Sequence, residues 1–192
     1  MSNEHNVFVT LGASNHTQSP RAENDFYATD PKAMELLLER ESFSSNVWEP
    51  ACGKGHLSKV LERHGYNVIS TDLIYRGYGK GGVDFLSYSE EFDGDIITNP
   101  PYKHAVNFVE QAIRSVKNGH KVAMFLRLSF LEGKSRRALF NKYPPKTIYV
   151  ASGRIICAKD GDFDNQYGGA VAHAWFIWEK GFTGKPTLEW FN

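Results

Sequence analysis

Short apolar runs alternate along the chain with stretches whose apolar residues recur at helical spacing. The runs are rich in β-branched and aromatic residues, which favours strands. Strands are therefore predicted at VWEP (47–50), NVISTD (67–72), DIITNP (95–100), KVAMFLRL (121–128), TIYVAS (147–152) and HAWFIWE (173–179), with a further short one at VDFL (83–86).

Helical spacing predicts helices within 30–40, 51–65, 105–119 and 132–143. Asp30 suits the N-cap of the first and Pro31 its first position, while Gly65 ends the second. Strands that alternate with helices predict an α/β fold with a doubly wound, mostly parallel sheet. The last two strands are expected to pair as an antiparallel edge.

Composition narrows the class of protein. The chain has 192 residues and suits one domain, predicted over 23–192, after a polar and weakly patterned arm at 1–22 that we expect to be mobile. The 22 basic and 22 acidic residues balance, which argues against coating nucleic acid by bulk charge but allows a local basic patch. Two cysteines are too few for a disulfide framework, and no apolar run is long enough for a membrane span, so a cytoplasmic location is expected.

The turn EPACGKG (49–55) joins the first of these predicted strands to a helix. Ligands bind at the carboxyl ends of strands in doubly wound sheets, and glycines there let backbone approach a ligand. The turn matches neither common phosphate-binding motif, and by itself it is compatible with simple turn chemistry. Asp72 ends the next strand, where a carboxylate can accept hydrogen bonds from both ribose hydroxyls. Together these features favour a nucleoside-type cofactor.

Glu49 is unusual because a carboxylate at the end of a buried strand is costly unless something pairs with it. A salt bridge or a helix cap would explain it structurally. A functional explanation is that it faces a cationic ammonium group, directly or through water.

The tetrapeptide NPPY (99–102) follows the strand DIIT. Two prolines stiffen the chain and remove backbone donors, so they hold the Asn99 side chain and nearby carbonyls in fixed directions. A simple turn is the alternative, but the position at a strand end in a nucleoside-type fold favours a functional site.

These motifs, in this order, resemble a known family. DFYATDP (25–31), EPACGKG, STD (70–72) and DIITNPPY (95–102) are similar to the motifs of class I S-adenosylmethionine-dependent amino-methyltransferases, and most similar to those of small phage-type DNA adenine-N6 methyltransferases. The resemblance covers about residues 24–192 and includes LRLSFLEGKSRR (126–137) and HAWFIWEKG (173–181). It implies a seven-stranded Rossmann-like sheet and a bacterial or phage-infected cell as the setting. RNA-base and protein-glutamine methyltransferases resemble the chain at NPPY too.

The resemblance also implies roles for individual residues. S-adenosyl-L-methionine would be held by Tyr27, Thr29, Glu49, Ala51, Cys52, Gly53, Gly55, Asp72, Leu73, Asp84, Phe85 and Asn99, although Phe85 is equally compatible with plain core packing. The catalytic set would be Asn99, Pro100, Pro101 and Tyr102. Its acceptors would be the Asn99 side-chain carbonyl and the Pro100 backbone carbonyl, and the Tyr102 ring would stack on an extruded base.

A basic segment lies on the expected substrate side. Between Arg127 and Lys146 there are six basic residues and a single acid, Glu132. Such a patch favours phosphates, although a solvated helix face is equally compatible with it. The candidate substrate-binding residues are Tyr102, Lys103, Arg127, Lys134, Arg136 and Arg137. The histidines lack metal-ligand spacing, so no metal is expected.

Only 27 positions separate Asp72 from Asn99, which leaves no room there for a recognition domain. The chain is therefore interpreted as a bare catalytic domain for adenine N6 in DNA, which a partner protein could direct to its sequence. The same chemistry on an RNA base or a protein glutamine is the second hypothesis. An inactive cofactor-binding module is the third, and the oligomeric state stays open.

Overall fold

One seven-stranded sheet with helices on both faces forms the body of the computed structural model, which describes residues 26–159, 161–163 and 171–192. The predicted arm at 1–22 lies outside the described residues. Apolar side chains of α1 (Lys32–Leu38) and α2 (His56–Arg63) pack on one face, and those of α3 (Ala105–Ser115) and α4 (Lys134–Lys142) on the other. The predicted doubly wound α/β architecture is confirmed.

The strands of the main sheet lie in the order β3-β2-β4-β5-β8-β6-β9. Their bounds are Asn46–Glu49 (β2), Asn67–Ser70 (β3), Asp95–Thr98 (β4), Lys121–Arg127 (β5), Thr147–Val150 (β6), His173–Glu179 (β8) and Thr187–Trp190 (β9). Strands β3, β2, β4 and β5 are parallel, so their carboxyl ends meet at one edge of the sheet. Strand β6 pairs with β9 in parallel.

Strand β8 is antiparallel to its neighbours, as predicted, but it lies inside the sheet between β5 and β6. The expected antiparallel edge was therefore misplaced, and the edge strand is β9, which is parallel to β6. Six consecutive residues from His173 to Trp178 are buried. Such a strand is apolar on both faces, and a central position covers it better than an edge.

A second sheet pairs β1 (Tyr27–Thr29) with β7 (Cys157–Lys159) in antiparallel fashion. The sequence pattern did not predict it, because three residues are too few for a periodic signal. This pairing holds Tyr27–Thr29 beside the end of the main sheet, where Asn99 donates hydrogen bonds to Tyr27 and Thr29.

Local signals placed two helix ends correctly. The Asp30 carboxylate accepts a hydrogen bond from the Lys32 amide at 2.9 Å, as a capping residue would. Gly65 ends the α2 segment with a φ of 85°. The predicted strand at 83–86 is wrong: a 3-10 turn covers Phe85–Ser87, because the Asp84 carboxylate accepts from the Leu86 amide at 3.0 Å. Across the described residues, no helix is both long and apolar enough to cross a membrane.

Candidate active site

A cavity of about 950 Å³ opens where the parallel strands β2 to β5 end. Because consecutive parallel strands end at the same edge, it collects residues that are far apart in the sequence. Most of the predicted site residues line it: Tyr27, Thr29, Glu49, Ala51, Cys52, Asp72, Leu73, Asp84, Phe85, Asn99, Pro100, Pro101, Tyr102, Lys103 and Arg127.

Gly53 and Gly55 shape the cavity without lining it. Their φ values are 54° and 78°, in the left-handed region that favours glycine. A Cβ atom on Gly53 would lie 2.1 Å from the Phe26 ring, so the missing side chain lets that ring cover the turn. Phe26 itself lines the cavity.

The Asp72 carboxylate is held rigidly. One oxygen accepts a hydrogen bond from the Gly53 amide at 2.8 Å, and the other accepts from the Ile74 amide at 2.9 Å. Each carboxylate oxygen has a second lone pair, so the group can still accept hydrogen bonds from a ligand's hydroxyls. The glycine turn and Asp72 are thus joined directly by a hydrogen bond.

Beside Asp72, the cavity wall turns apolar. Leu73 is 60% exposed although it lines the cavity, which suits contact with a flat ligand ring. Phe85 lines the wall too, but it is 2% exposed and packs edge-on against Trp48 at 5.1 Å between ring centroids. Core packing therefore explains Phe85, and Asp84 remains exposed at the rim.

Glu49 is buried at the end of β2, and its carboxylate contacts Ser58 in α2. One oxygen accepts from the Ser58 amide at 2.9 Å and also from the Ser58 hydroxyl. Burial raises the pKa of Glu49 to about 8 despite these hydrogen bonds. The helix-cap explanation is therefore observed. Because Glu49 also lines the cavity, the ammonium role stays a prediction.

Asn99 has a fixed side-chain orientation. Its amide nitrogen donates to the Thr29 hydroxyl at 2.8 Å and to the Tyr27 carbonyl at 3.2 Å, both on β1. Its carbonyl oxygen Oδ1 is buried and accepts no hydrogen bond from any residue that the structure describes. Since buried polar atoms are normally paired, this acceptor is available for a ligand donor inside the cavity.

Tyr102 is anchored at both its hydroxyl and its ring. The hydroxyl lies 3.2 Å from His173 Nε2 and 3.5 Å from Cys157 Sγ. Burial lowers the pKa of His173 to about 4, with the nearby Arg127 charge adding to the effect. The imidazole is therefore neutral near pH 7, and its Nε2 can accept a hydrogen bond from the Tyr102 hydroxyl. The Arg127 guanidinium lies 4.4 Å from the centre of the Tyr102 ring.

The predicted basic residues do not all lie at the same place in the structure. Arg127 and Lys103 line the cavity, whereas Lys134 and Arg137 are exposed and lie outside its wall. Arg136 lines a smaller neighbouring cavity instead. The predicted substrate-binding residues therefore do not all lie at one cavity.

Sequence reasoning missed several wall residues, namely Phe26, His56, Arg76, Leu86, His104 and Phe108. It also missed His173, which anchors Tyr102. The signal for His173 was present, because it opens an otherwise apolar buried strand. No cluster of three histidine, cysteine or acidic side chains suited to a metal ion occurs within 26–159, 161–163 and 171–192.

Neither the comparison with protein-family models nor that with curated proteins finds a match to this sequence. Solved structures do share its fold. A candidate RNA methyltransferase from Pyrococcus horikoshii superposes with a TM-score of 0.58 at 17% identity, covering 91% of this chain and 97% of that one.

Two further structures are similar. A candidate class I S-adenosylmethionine-dependent methyltransferase from Listeria monocytogenes gives a TM-score of 0.55 at 14% identity, over 83% of this chain and 63% of that one. The M protein of the type I restriction enzyme EcoKI gives 0.56 at 17% identity, over 82% of this chain and 44% of that one. The chain thus spans less than two thirds of either protein. The fold is the Rossmann-like methyltransferase fold, as predicted.

Proposed function

We propose that this protein is an S-adenosylmethionine-dependent methyltransferase that acts on the exocyclic N6 amine of adenine in DNA. One observation carries the proposal: Asn99 Oδ1 is buried and unpaired among the described residues, while the amide nitrogen is held by β1. An acceptor fixed in this way at the end of β4 suits a ligand N–H group.

The cavity residues fit the cofactor. The Asp72 carboxylate suits the two ribose hydroxyls, exposed Leu73 suits one face of the adenine ring, and Asp84 suits its amine. Glu49 would face the ammonium group of the methionine part. When bound, this cofactor supplies an electrophilic methyl group on a sulfonium.

The residues of NPPY prepare the amine to attack. The nitrogen lone pair is delocalised into the purine ring, so the amine is a poor nucleophile. Hydrogen bonds from its two N–H groups to Asn99 Oδ1 and the Pro100 carbonyl would draw the nitrogen toward tetrahedral geometry. Acceptors that are already aimed stabilise the charge that develops on nitrogen as the methyl group transfers. The nitrogen then loses one proton to solvent.

Tyr102 would hold the extruded base by stacking, and Arg127 and Lys103 would contact the strand. Extrusion is required because the amine cannot reach a buried cavity from within a duplex. We further propose that a partner protein supplies sequence reading, and that the enzyme works in the cytoplasm.

An RNA base or a protein glutamine is the second candidate substrate, because NPPY suits any planar nitrogen. RNA is included in the test because the candidate RNA methyltransferase from Pyrococcus horikoshii shares this fold. An inactive cofactor-binding module is the weakest candidate, since the unpaired Asn99 acceptor would then have no role.

The test is methyl transfer from radiolabelled cofactor to matched pools of DNA, RNA and protein. We expect label on DNA adenine, and transfer slower by about 100-fold or more with Asn99→Ala. Label on RNA or protein alone would move the assignment to the second candidate. Cofactor binding without transfer to any pool would support the inactive module.

A further inference from the structure

A second, smaller cavity of about 180 Å³ adjoins the first. It lies where β5 ends and the chain turns toward α4. Its walls are Tyr102, Ala105, Leu126, Arg127, Ser129, Phe130 and Arg136. Its lining thus includes two arginines and two hydroxyl-bearing residues, Tyr102 and Ser129, and no acidic residue. This lining favours a small anion over a cation or an apolar group.

Arg127 and Tyr102 line both cavities, so their stacked side chains form the wall between them. Arg127 makes no ion pair with an acidic residue in the part of the chain that the structure describes. An uncompensated cation at the mouth of a ligand cavity is suited to an anionic group of the ligand itself.

Arg136 is fixed by neutral acceptors. Its Nε donates to the Glu132 carbonyl at 2.6 Å, and its Nη2 donates to the Ser129 carbonyl at 3.1 Å. Its guanidinium also lies 5.3 Å from the centre of the Phe130 ring. These contacts orient the group without neutralising its charge. Preorganised cations bind an anion with little further ordering.

We propose that the second cavity binds a phosphodiester group next to the target nucleoside, with Arg127 and Arg136 as its cationic contacts. The inference rests on the proposed function, since it takes the substrate to be a DNA strand whose base enters over Tyr102. A base that stacks on this ring competes with the Arg127 guanidinium. The adjoining phosphate then offers that guanidinium a new partner. Base entry and backbone binding are thereby coupled through one side chain.

The residues of the basic segment have different positions relative to the two cavities. Lys134 and Arg137 belong to the same basic segment, but they line neither cavity. They add general positive charge near the strand. Arg127 and Arg136 recognise one particular phosphate.

The experiment uses short DNA strands with a single adenine, in which one phosphate beside that adenine is replaced by an uncharged methylphosphonate. Binding and methyl transfer are measured for the wild-type protein and for Arg127→Gln. We expect the neutral linkage on one side of the adenine to weaken wild-type binding about tenfold or more, as for a lost charge-assisted hydrogen bond. In Arg127→Gln the same replacement should weaken binding by only about threefold, because Arg136 is then the one proposed cationic contact left to the phosphate.

Control variants identify the source of the effect. Arg127→Lys keeps the charge and should keep sensitivity to the neutral linkage. Arg40→Gln removes an exposed arginine that lines neither cavity and should behave as the wild type. Arg137→Gln should weaken binding to every strand alike while keeping the full response to the neutral linkage.

Full sensitivity in Arg127→Gln would overturn the phosphate subsite and leave DNA methylation intact. A loss of sensitivity in Arg137→Gln equal to that in Arg127→Gln would also overturn it, since the effect would then be one of bulk charge. Transfer to protein alone, with no nucleic acid labelled, would overturn both the subsite and the proposed DNA substrate.

Discussion

The side-chain nitrogen of Asn99 lies 2.8 Å from the hydroxyl oxygen of Thr29, across 70 positions of sequence. This hydrogen bond decides which end of the amide enters the cavity. An asparagine side chain can rotate to present either its oxygen or its NH₂ group. Two acceptors on β1 hold the NH₂ group, so the oxygen is left for a ligand.

Thr29→Val tests this positioning role, because valine has nearly the same shape but no hydroxyl. We expect a fall in turnover of about tenfold, the size of effect that corresponds to about 1.4 kcal/mol of lost orientation. Cofactor affinity should change little. Asn99→Ala should lower turnover by about 100-fold or more, since the acceptor itself is removed. A Thr29→Val enzyme with normal turnover would show that the Tyr27 carbonyl alone suffices.

Asp72→Ala should weaken cofactor binding by about 1–3 kcal/mol, for the loss of charged hydrogen bonds to a ligand. The measurement is calorimetric titration with S-adenosylhomocysteine. The substitution also frees the Gly53 and Ile74 amides, so circular dichroism must show that the variant is folded. Unchanged affinity in a folded variant would remove Asp72 from the cofactor site.

Glu49 should make cofactor binding depend on pH. Burial raises its pKa to about 8, so the carboxyl is mostly protonated near pH 7 in the free protein. Pairing with an ammonium requires the carboxylate. Affinity should therefore rise as pH increases from about 6 to about 7.5, by at most about tenfold per pH unit. Glu49→Gln should bind more weakly and lose this dependence. A wild-type affinity that is flat over the same range would argue that Glu49 serves only as a cap for α2.

Glu49 should also make the stability of the folded protein depend on pH, but stability should fall as pH rises, whereas cofactor affinity should increase. A folded-state pKa above the unfolded value means that Glu49 contributes stability below about pH 4.5, and that this contribution is lost as pH rises through about 8. The depressed pKa of His173 acts the other way, with stability lost as pH falls from about 6.5 through about 4. Urea unfolding of Glu49→Gln across this range isolates the first effect.

Tyr102 offers a test of stacking against hydrogen bonding. Tyr102→Ala should weaken nucleic-acid binding by about 1–3 kcal/mol, the usual contribution of a base stacked on an aromatic ring. Tyr102→Phe keeps the ring and loses only the contacts with His173 and Cys157, so it should retain most of the affinity. Equal losses in the two variants, measured by fluorescence anisotropy, would show that the hydroxyl matters more than the ring.

Gly53→Ala should impair the cofactor cavity more than it impairs the fold. Alanine at a φ of 54° is strained by about 1 kcal/mol, and its methyl group would displace the Phe26 ring from the glycine turn. Gly65→Ala is the matched control, since its φ is 85° but nothing lies within 4 Å of the added Cβ. Both variants should lose similar unfolding free energy, and only Gly53→Ala should lose cofactor affinity. An equal fall in affinity in both would point to a general effect of instability.

The sequence by itself determined the α/β alternation, the strand ends that carry Asp72 and Asn99, and the glycine turn between β2 and α2. These features were predictable because burial on both faces produces continuous apolar runs, and because glycine and proline act on the backbone locally. NPPY could be assigned to the end of β4 for the same reason.

Only the tertiary structure decided how the site is oriented. Strands β1 and β7 are too short to show a periodic pattern of apolar residues. Their pairing nevertheless brings Thr29 and Tyr27 to Asn99. The position of β8 inside the sheet likewise brings His173 to Tyr102. Carbonyls of Ser129 and Glu132, before α4, hold Arg136 at the second cavity, which Arg137 does not line. Each of these contacts joins residues through packing, and the free energy of packing depends on partners that lie far away in the chain. Periodicity along the sequence records which residues are buried, but it does not record which residues they meet.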